Sequence, residues 1–273
     1  MTTSALSSGN RLRWVVSDAL ILAKRNLLKY RRVPTLLAFS TIQPVMFVLL
    51  FNYVFGGAIS TAVESVVPVP GFDFNYIDFL LAGIMVQAAV FGSTQTGVGL
   101  AEDMKQGLID RFRSLPMSRS AVLAGRTMGD SVRNLLVILL MVGVGYLIGF
   151  RFRGGLFYAV MAILLAVAFG LAFSWISATI GLTVKDVEAT QAASFVWVFP
   201  LVFASSAFVP TQSMPSWLQR FAEINPVTVT VNAIRGFTLG FDPWPDFWKA
   251  VAWIVAILVV FIPLAISRYR RAV

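Results

Sequence analysis

Apolar and polar positions alternate along the chain in long blocks. Six stretches are apolar over about the 20 residues that an α-helix needs to cross roughly 30 Å of hydrocarbon. They cover residues 35–55, 79–100, 127–150, 156–182, 190–208 and 247–266. The fourth stretch is longer than one crossing requires, which indicates a tilted helix. The pattern therefore predicts an all-α integral membrane protein with six transmembrane helices in a single domain, residues 1–273.

Basic residues are concentrated in alternate connections between these stretches. Most of the 22 Lys and Arg residues lie before residue 35, in the connection after the second stretch, or in the C-terminal tail. The connection at 56–78 contains Glu64, Asp73 and Asp78 but no basic residue. Because cytoplasmic loops carry an excess of Lys and Arg, both termini are predicted to be cytoplasmic. The net charge of +9 is explained by this topology, so it does not indicate a nucleic-acid partner.

Composition agrees with a membrane environment and narrows the chemistry. Hydrophobic residues make up 58% of the chain and charged residues 13%, and the charged share is half of the roughly 25% typical of soluble domains. Histidine and cysteine are absent, which excludes His acid–base catalysis, Cys nucleophiles and disulfides. Metal sites that need these ligands are excluded as well. No Asp or Glu lies at the centre of a predicted span, which counts against an ion-coupled transporter or an intramembrane enzyme.

Residues 11–30 have the spacing of an amphipathic helix. Apolar residues recur at one-turn intervals, while basic residues occupy another face. Arg11, Trp14, Arg25 and Lys29 suit a helix that lies on the cytoplasmic membrane surface. The alternative is a basic flank that only sets the topology.

The connection after the second span also contains a predicted amphipathic helix. Its apolar face consists of Leu108, Ile109, Phe112 and Leu115, its polar face of Asp110, Arg111 and Arg113, and Pro116 ends it. Such a helix can dock into a groove on a partner, or it can pack only on its own bundle. The charged connection formed by Lys185, Asp186 and Glu188 is either a second partner contact or a solvated turn.

The connection between the fifth and sixth spans predicts two helices that are too short to cross a membrane. Ser213 is expected to cap a helix that begins at Pro215, and Asn225-Pro226 separates it from a second helix that ends at Gly236. Together they predict a re-entrant hairpin on the extracellular side, including Asn225, Pro226 and Arg235. Trp217 is expected at the membrane interface, where Trp is enriched.

Several polar residues interrupt the apolar stretches themselves. Gln87, Ser93, Thr94 and Gln95 lie in the second span, where they can form interhelical hydrogen bonds or line a translocation path. Asp130 and Arg133 are three residues apart in the third span and can pair on one helix face.

Three stretches of the sequence resemble the permease subunit of ABC type-2 exporters, close to the daunorubicin-resistance permeases of actinobacteria. They are residues 107–119, residues 214–218, and residues 225–228 together with Arg235-Gly236. The resemblance implies an assembly of two permease chains and two ATPase chains in a bacterial cell membrane. It also implies a connecting helix at about 11–32 and a coupling helix at about 107–115, which begins with Gly107.

The resemblance assigns the energy source to another chain. This sequence has no Gly-x-x-x-x-Gly-Lys-Ser/Thr loop, so ATP and Mg are expected in a separate ATPase, with no cofactor bound by this chain. The leading hypothesis is a non-enzymatic permease subunit of an ATP-driven exporter of a drug-like compound or a lipid. A polysaccharide or glycolipid exporter and, less well supported, an ion-coupled secondary transporter are the alternatives.

Overall fold

The computed structural model describes residues 34–57, 75–107 and 119–271. These residues form eight α-helices and no strand. The helices are α1 (Pro34–Leu50), α2 (Tyr76–Lys105), α3 (Arg119–Ile148), α4 (Gly155–Val184), α5 (Val187–Phe203), α6 (Ser216–Ile224), α7 (Pro226–Leu239) and α8 (Trp244–Arg271). A π-helical segment, Phe51–Phe55, extends α1, and a 3-10 turn, Thr211–Ser213, precedes α6. The predicted interfacial helix at 11–32 and the segment 108–118 lie outside the described residues.

Among the described residues, four helices are long and apolar enough to cross a membrane. They are Tyr76–Lys105, Leu123–Ile148, Gly155–Val184 and Trp244–Arg270, and they match the second, third, fourth and sixth predicted stretches. The first and fifth stretches correspond to shorter apolar helices, Ser40–Phe55 and Val187–Phe203. The all-helical class is thus confirmed for the described residues, while the six-span arrangement and its orientation stay predictions.

Two predicted spans end earlier than expected. The fifth was expected to continue to Phe208, but α5 ends at Phe203, three residues after Pro200. The amide of Ala204 donates to the carbonyl of Pro200 and forms the last turn of the helix. The third was expected to reach Phe150, but α3 ends at Ile148 because Gly149 has a φ of 120°. A positive φ is incompatible with a right-handed helix and is accessible mainly to glycine.

The two short helices are present, but their predicted boundaries are wrong at three points. The helix α6 begins at Ser216, one residue after the expected Pro215. Ser213 does not cap it, because the hydroxyl of Ser213 donates to the carbonyl of Pro210 inside the preceding turn. The helix α7 continues past Gly236 to Leu239 and ends at Gly240, which has a φ of 86°. The sequence suggested that Gly236 ends the helix, but the glycine that ends it is Gly240, four residues later.

The helix α2 lies at the centre of the bundle and packs against α3, α4 and α5. Its 18-residue apolar window is 89% buried, against 22% for the corresponding window of α8. Since α3 runs antiparallel to α2 and α4 runs parallel to it, the bundle has two ends, which we call the Tyr76 end and the Lys105 end after the first and last residues of α2. The main apolar core surrounds α2, and a smaller cluster with Leu100, Trp175 and Tyr269 lies at the Lys105 end.

Helices α2 and α4 cross with their backbones almost in contact. A Cβ atom added at Gly181 would overlap the backbone of Gly97, and one added at Gly97 would overlap the carbonyl of Ser177. Small residues allow this type of close helix packing within a membrane bundle. The α2–α4 crossing therefore depends on the absence of side chains at Gly97 and Gly181.

We expect Gly181→Ala to destabilise the protein by about 1–3 kcal/mol, because the new methyl group must push α4 away from α2. Gly143→Ala on α3 is the matched control, since a Cβ there meets no atom within 4 Å. The control should be neutral or stabilising by up to about 1 kcal/mol. Thermal unfolding of both purified variants measures the difference. Equal midpoints for the two variants would contradict the close crossing.

Candidate functional site

A polar cavity lies between α1, α2, α3 and α5. Its volume is about 100 Å³. Phe47, Phe91 and Phe195 contribute an aromatic wall. The polar lining residues are Ser40 and Gln43 from α1, Gln87, Thr94 and Gln95 from α2, and Arg133 and Asn134 from α3. The cavity thus combines amides, hydroxyls and one guanidinium inside an otherwise apolar bundle.

Gln87 is the buried polar group of this lining that lacks a hydrogen-bond partner. Its side chain is 3% exposed, and its Oε1 atom is buried without a partner among the described residues. Buried polar atoms are nearly always hydrogen-bonded, so an unsatisfied amide at a cavity wall calls for a physical reason. A group bound in the cavity would supply the missing hydrogen bond.

Arg133 and Asn134 hold the α3 side of the cavity against the backbone of α2. Arg133 Nη2 donates to the carbonyl of Gly92 at 2.5 Å, and Asn134 Nδ2 donates to the carbonyl of Ala89 at 3.4 Å. Gly92 permits this approach, because a Cβ there would overlap the Asn134 amide. The two side chains therefore both position α3 and present polar atoms to the cavity.

The structure brings together three of the four predicted path residues. Gln87, Thr94 and Gln95 line the cavity. Thr94 is buried and its hydroxyl donates to the carbonyl of Phe91, whereas Gln95 is exposed. Ser93 does not line the cavity; it is buried and donates to the carbonyl of Val90 within its own helix.

The contribution of α1 to the cavity was missed by sequence reasoning. Ser40 and Gln43 line the cavity, and Gln43 is exposed on the helix surface. The available signal was a glutamine next to Pro44 inside an otherwise apolar run. Its side of the helix could not be read from the sequence, because the pattern of α1 is apolar on all faces.

A charge network joins α2 and α3 near the Lys105 end. Arg126 forms an ion pair with Asp103, and its Nε atom lies 3.9 Å from Asp130. Asp130 also accepts a hydrogen bond of 2.7 Å from the hydroxyl of Thr96. Gly99 leaves room for the Arg126 side chain to lie across α2. The acidic last turn of α2 and the basic first turns of α3 were the sequence signal for this network.

Only some of the predicted ATPase-coupling residues lie in the part of the chain that the structure describes. Gly107 has a φ of 66° and follows the end of α2, which is the conformation typical of a glycine just after a helix. Leu108 to Pro116 lie outside the described residues. Lys185 has a φ of 64°, and the Asp186 carboxylate accepts from the amide of Ala189 as the N-cap of α5.

Lys185, Asp186 and Glu188 are all exposed. Lys185 and Asp186 thus have a structural role in the turn between α4 and α5. Their contact with a partner chain stays a prediction.

The predicted re-entrant residues organise the Tyr76 end. Asn225 caps α7 by accepting from the amide of Val227 at 2.9 Å, and Pro226 is the first residue of that helix. The Asn225 Nδ2 atom also donates to the carbonyls of Leu201 and Ala204, at 2.7 and 2.9 Å. Asn225 thereby links the start of α7 to the C-terminal end of α5 by hydrogen bonds.

Arg235 is fully integrated into the fold and is not a surface residue of a hairpin. It is 7% exposed, and its guanidinium lies over the ring of Phe79 with 3.3 Å between the Arg235 Cζ atom and the ring centroid. It donates to the carbonyls of Phe79, Ser206 and Ala207 at 3.1, 2.7 and 3.2 Å. Trp217, by contrast, is 72% exposed on α6, as an interfacial residue would be.

A second ion pair at the Tyr76 end was not anticipated. Arg153, in the connection between α3 and α4, lies 3.0 Å from Asp78 in the first turn of α2. The amide of Arg153 also donates to the carbonyl of Thr238 at the end of α7. Both ends of α2 are therefore held by an arginine from the α3 side, Arg126 at one end and Arg153 at the other.

The apolar helices and the polar cavity that they enclose define a multi-pass helical membrane protein. The family model "ABC-2 type transporter" matches residues 18–239, which include all helices of the described core except α8. The chain therefore belongs to the ABC-2 type transporter family, and it is a permease of that family. Across the described ranges, no group of three or more Asp or Glu residues is placed to hold a metal ion.

Three similar proteins are transport permeases by name. The chain is 33% identical to the daunorubicin resistance ABC transporter permease protein DrrB1 of Streptomyces coeruleorubidus, over 98% of this chain and 92% of the relative. It is 30% identical to the probable doxorubicin resistance ABC transporter permease protein DrrC of Mycobacterium tuberculosis, over 97% and 92%. It is 26% identical to the putative transport permease ycf38 of Cyanophora paradoxa, over 84% and 76%.

Two substitutions separate the roles of Asn225. Asn225→Ala removes the cap of α7 and both donations to α5, and should cost about 1–3 kcal/mol. Asn225→Asp keeps the capping oxygen but has no N–H to donate, so we expect an intermediate loss. Thermal unfolding of the two variants beside Gln219→Ala, whose exposed side chain donates only to Glu223, measures the order. An Asn225→Ala variant as stable as Gln219→Ala would contradict the assigned role.

Proposed function

We propose that this chain is the transmembrane permease subunit of an ATP-driven exporter that moves an amphipathic drug-like compound or a lipid. The observation that carries the proposal is the polar cavity around Gln87, which is lined by two helices of membrane-spanning length, α2 and α3, and by the shorter apolar helices α1 and α5, in a chain of the ABC-2 family. The buried Oε1 atom of Gln87 has no hydrogen-bond partner among the described residues, and a cargo group in the cavity would supply one. The names of the Streptomyces and mycobacterial relatives support a drug-like cargo.

The surface of the cavity supports an assembly of two permease chains. Gln43 and Gln95 line the cavity and are exposed on the surface of α1 and α2. Exposed amides in contact with hydrocarbon are costly, whereas they are tolerated against protein or water. A second permease chain over this face would cover both amides, so that the cavity would open towards the interface between the two chains.

The partner that supplies energy is an ABC ATPase, which binds ATP and Mg itself. Contact is assigned to the coupling segment 107–115, to the interfacial helix 11–32, and to the exposed turn at Lys185, Asp186 and Glu188. All three are predicted to lie on the cytoplasmic side of a bacterial cell membrane, with both termini on the same side. Closure of the ATPase chains would tilt the permease through the coupling segment as a rigid body.

The described ion pairs explain how such a tilt could reach the cavity. The Arg126 pair joins the Lys105 end of α2 to the start of α3, directly beside the coupling segment. The same two helices carry Gln87, Arg133 and Asn134. A displacement of the coupling segment would therefore move both walls of the cavity together, without a hinge inside α2.

Reconstitution tests the proposed function. The chain is co-purified with its ATPase and placed in proteoliposomes, with daunorubicin and a fluorescent lipid as two separate probes. We expect transfer of at least one probe to require both ATP and the ATPase chain. Transfer at full rate by this chain alone under an ion gradient would overturn the proposal and favour a secondary transporter. ATP-driven transfer of a saccharide carrier, with neither probe moved, would overturn the assigned cargo.

Phe112→Asp and Leu115→Asp should uncouple ATP hydrolysis from transport, because each places a charge on the predicted apolar face of the coupling helix. Ser114→Asp adds the same charge off that face and serves as the matched control. We expect a loss of transport of about tenfold or more for the first two variants, the size expected when an apolar anchor is lost at an interface. ATPase activity and probe transfer are measured in parallel. Equal transport by all three variants would contradict the coupling assignment.

A further inference from the structure

The proposed exporter must recognise some chemical feature of its cargo. The size and lining of the cavity around Gln87 favour one kind of chemical group. The cavity is small: about 100 Å³, less than the roughly 150 Å³ of an engineered protein cavity that holds one benzene molecule. Such a volume admits a short polar group but not a whole drug or lipid. The remainder of the cargo would have to lie outside, against the bundle surface.

The chemistry of the wall specifies that polar group. Gln87 Oε1 is buried and lacks a donor, so it selects a group that carries a hydrogen. Asn134 on α3 carries two amide N–H groups, of which the bond to the Ala89 carbonyl uses one, so this wall suits a group that also accepts. No carboxylate lines the cavity within the described part of the chain.

A hydroxyl meets both requirements, because it donates one hydrogen bond and accepts two. An ammonium only donates, and a phosphodiester only accepts. The aromatic side chains of Phe47, Phe91 and Phe195 border the same cavity and offer an apolar surface to the carbon atoms that carry the hydroxyl. The geometry points to a recognition pocket, between α1, α2, α3 and α5, for the hydroxylated head group of an amphiphile.

This inference rests on the proposed function for its biological meaning, but it can be tested by binding alone. The complete chain in complex with its ATPase is placed in lipid nanodiscs without ATP. Three probes carry the same fluorescent acyl chain: a monoglucosyl diacylglycerol, a phosphatidylglycerol and a phosphatidylcholine. The first two have head-group hydroxyls from different sources, a sugar and a glycerol phosphate, and the third has none.

We expect at least one hydroxylated probe to bind about tenfold more tightly than phosphatidylcholine, the effect of one well-formed hydrogen bond in a buried site. Gln87→Met keeps the size of the side chain and removes its amide, and should abolish that preference. Gln219→Leu loses a glutamine on the exposed helix α6 and should leave the preference unchanged.

Thr94→Val provides a second variant, since it replaces a buried hydroxyl at the cavity wall with a group of the same shape. It should reduce the preference in the same direction if Gln87→Met does not fold. Tight binding of only the glucosyl probe identifies a sugar hydroxyl, and tight binding of only phosphatidylglycerol identifies a glycerol hydroxyl. Equal binding of all three probes, or an unchanged preference in both cavity variants, overturns the inference.

The same measurements separate this inference from the proposed function. If the hydroxylated probe binds through Gln87 but no ATP-driven transfer is found, the recognition pocket stands and the exporter assignment fails. If ATP drives transfer while binding is independent of head-group hydroxyls, the exporter assignment stands and the pocket fails.

Discussion

The close crossing of α2 and α4 is the constraint on which the rest of the bundle depends. Gly97 and Gly181 allow the two backbones to meet, and this contact buries one face of α2. In a membrane there is no hydrophobic driving force between helices, so close packing of small residues must supply much of the association energy. Once α2 is central, α3, α5 and α7 can each pack against a different side of it.

A largely buried helix also needs partners for its buried polar groups. At the two ends of α2 these partners are arginines, Arg126 with Asp103 and Arg153 with Asp78. A third arginine, Arg235, binds the α2 carbonyl of Phe79 and two carbonyls that follow α5. Arginine suits all three places because its planar fork can bond several acceptors at once. In the middle of α2, Arg133 binds the carbonyl of Gly92, and the cavity with the unsatisfied Oε1 atom of Gln87 lies beside this contact.

The sequence predicts the fold class well and the site only in part, for physical reasons that differ from one element to the next. The apolar stretches of α2, α3, α4 and α8 are long enough to identify without knowledge of their neighbours. The end of α5 was misplaced because the helix stops where Asn225, more than 20 residues later, binds the carbonyls of Leu201 and Ala204. Such a long-range hydrogen bond leaves no local signal. Gly236 looked like a helix stop, but a glycine can also serve close packing, and a Cβ there would press on Pro243.

The polar residues of the second span show the same limit at the level of function. Gln87 and Ser93 look alike in the sequence, since both interrupt an apolar run. Ser93 can return its hydrogen bond to the carbonyl of Val90 in its own helix, because a hydroxyl is short enough to reach the preceding turn. The longer amide of Gln87 extends away from the backbone and must find a partner elsewhere. Burial without such a partner is visible only in the structure, and it distinguishes Gln87 from Ser93, whose hydroxyl is satisfied within its own helix.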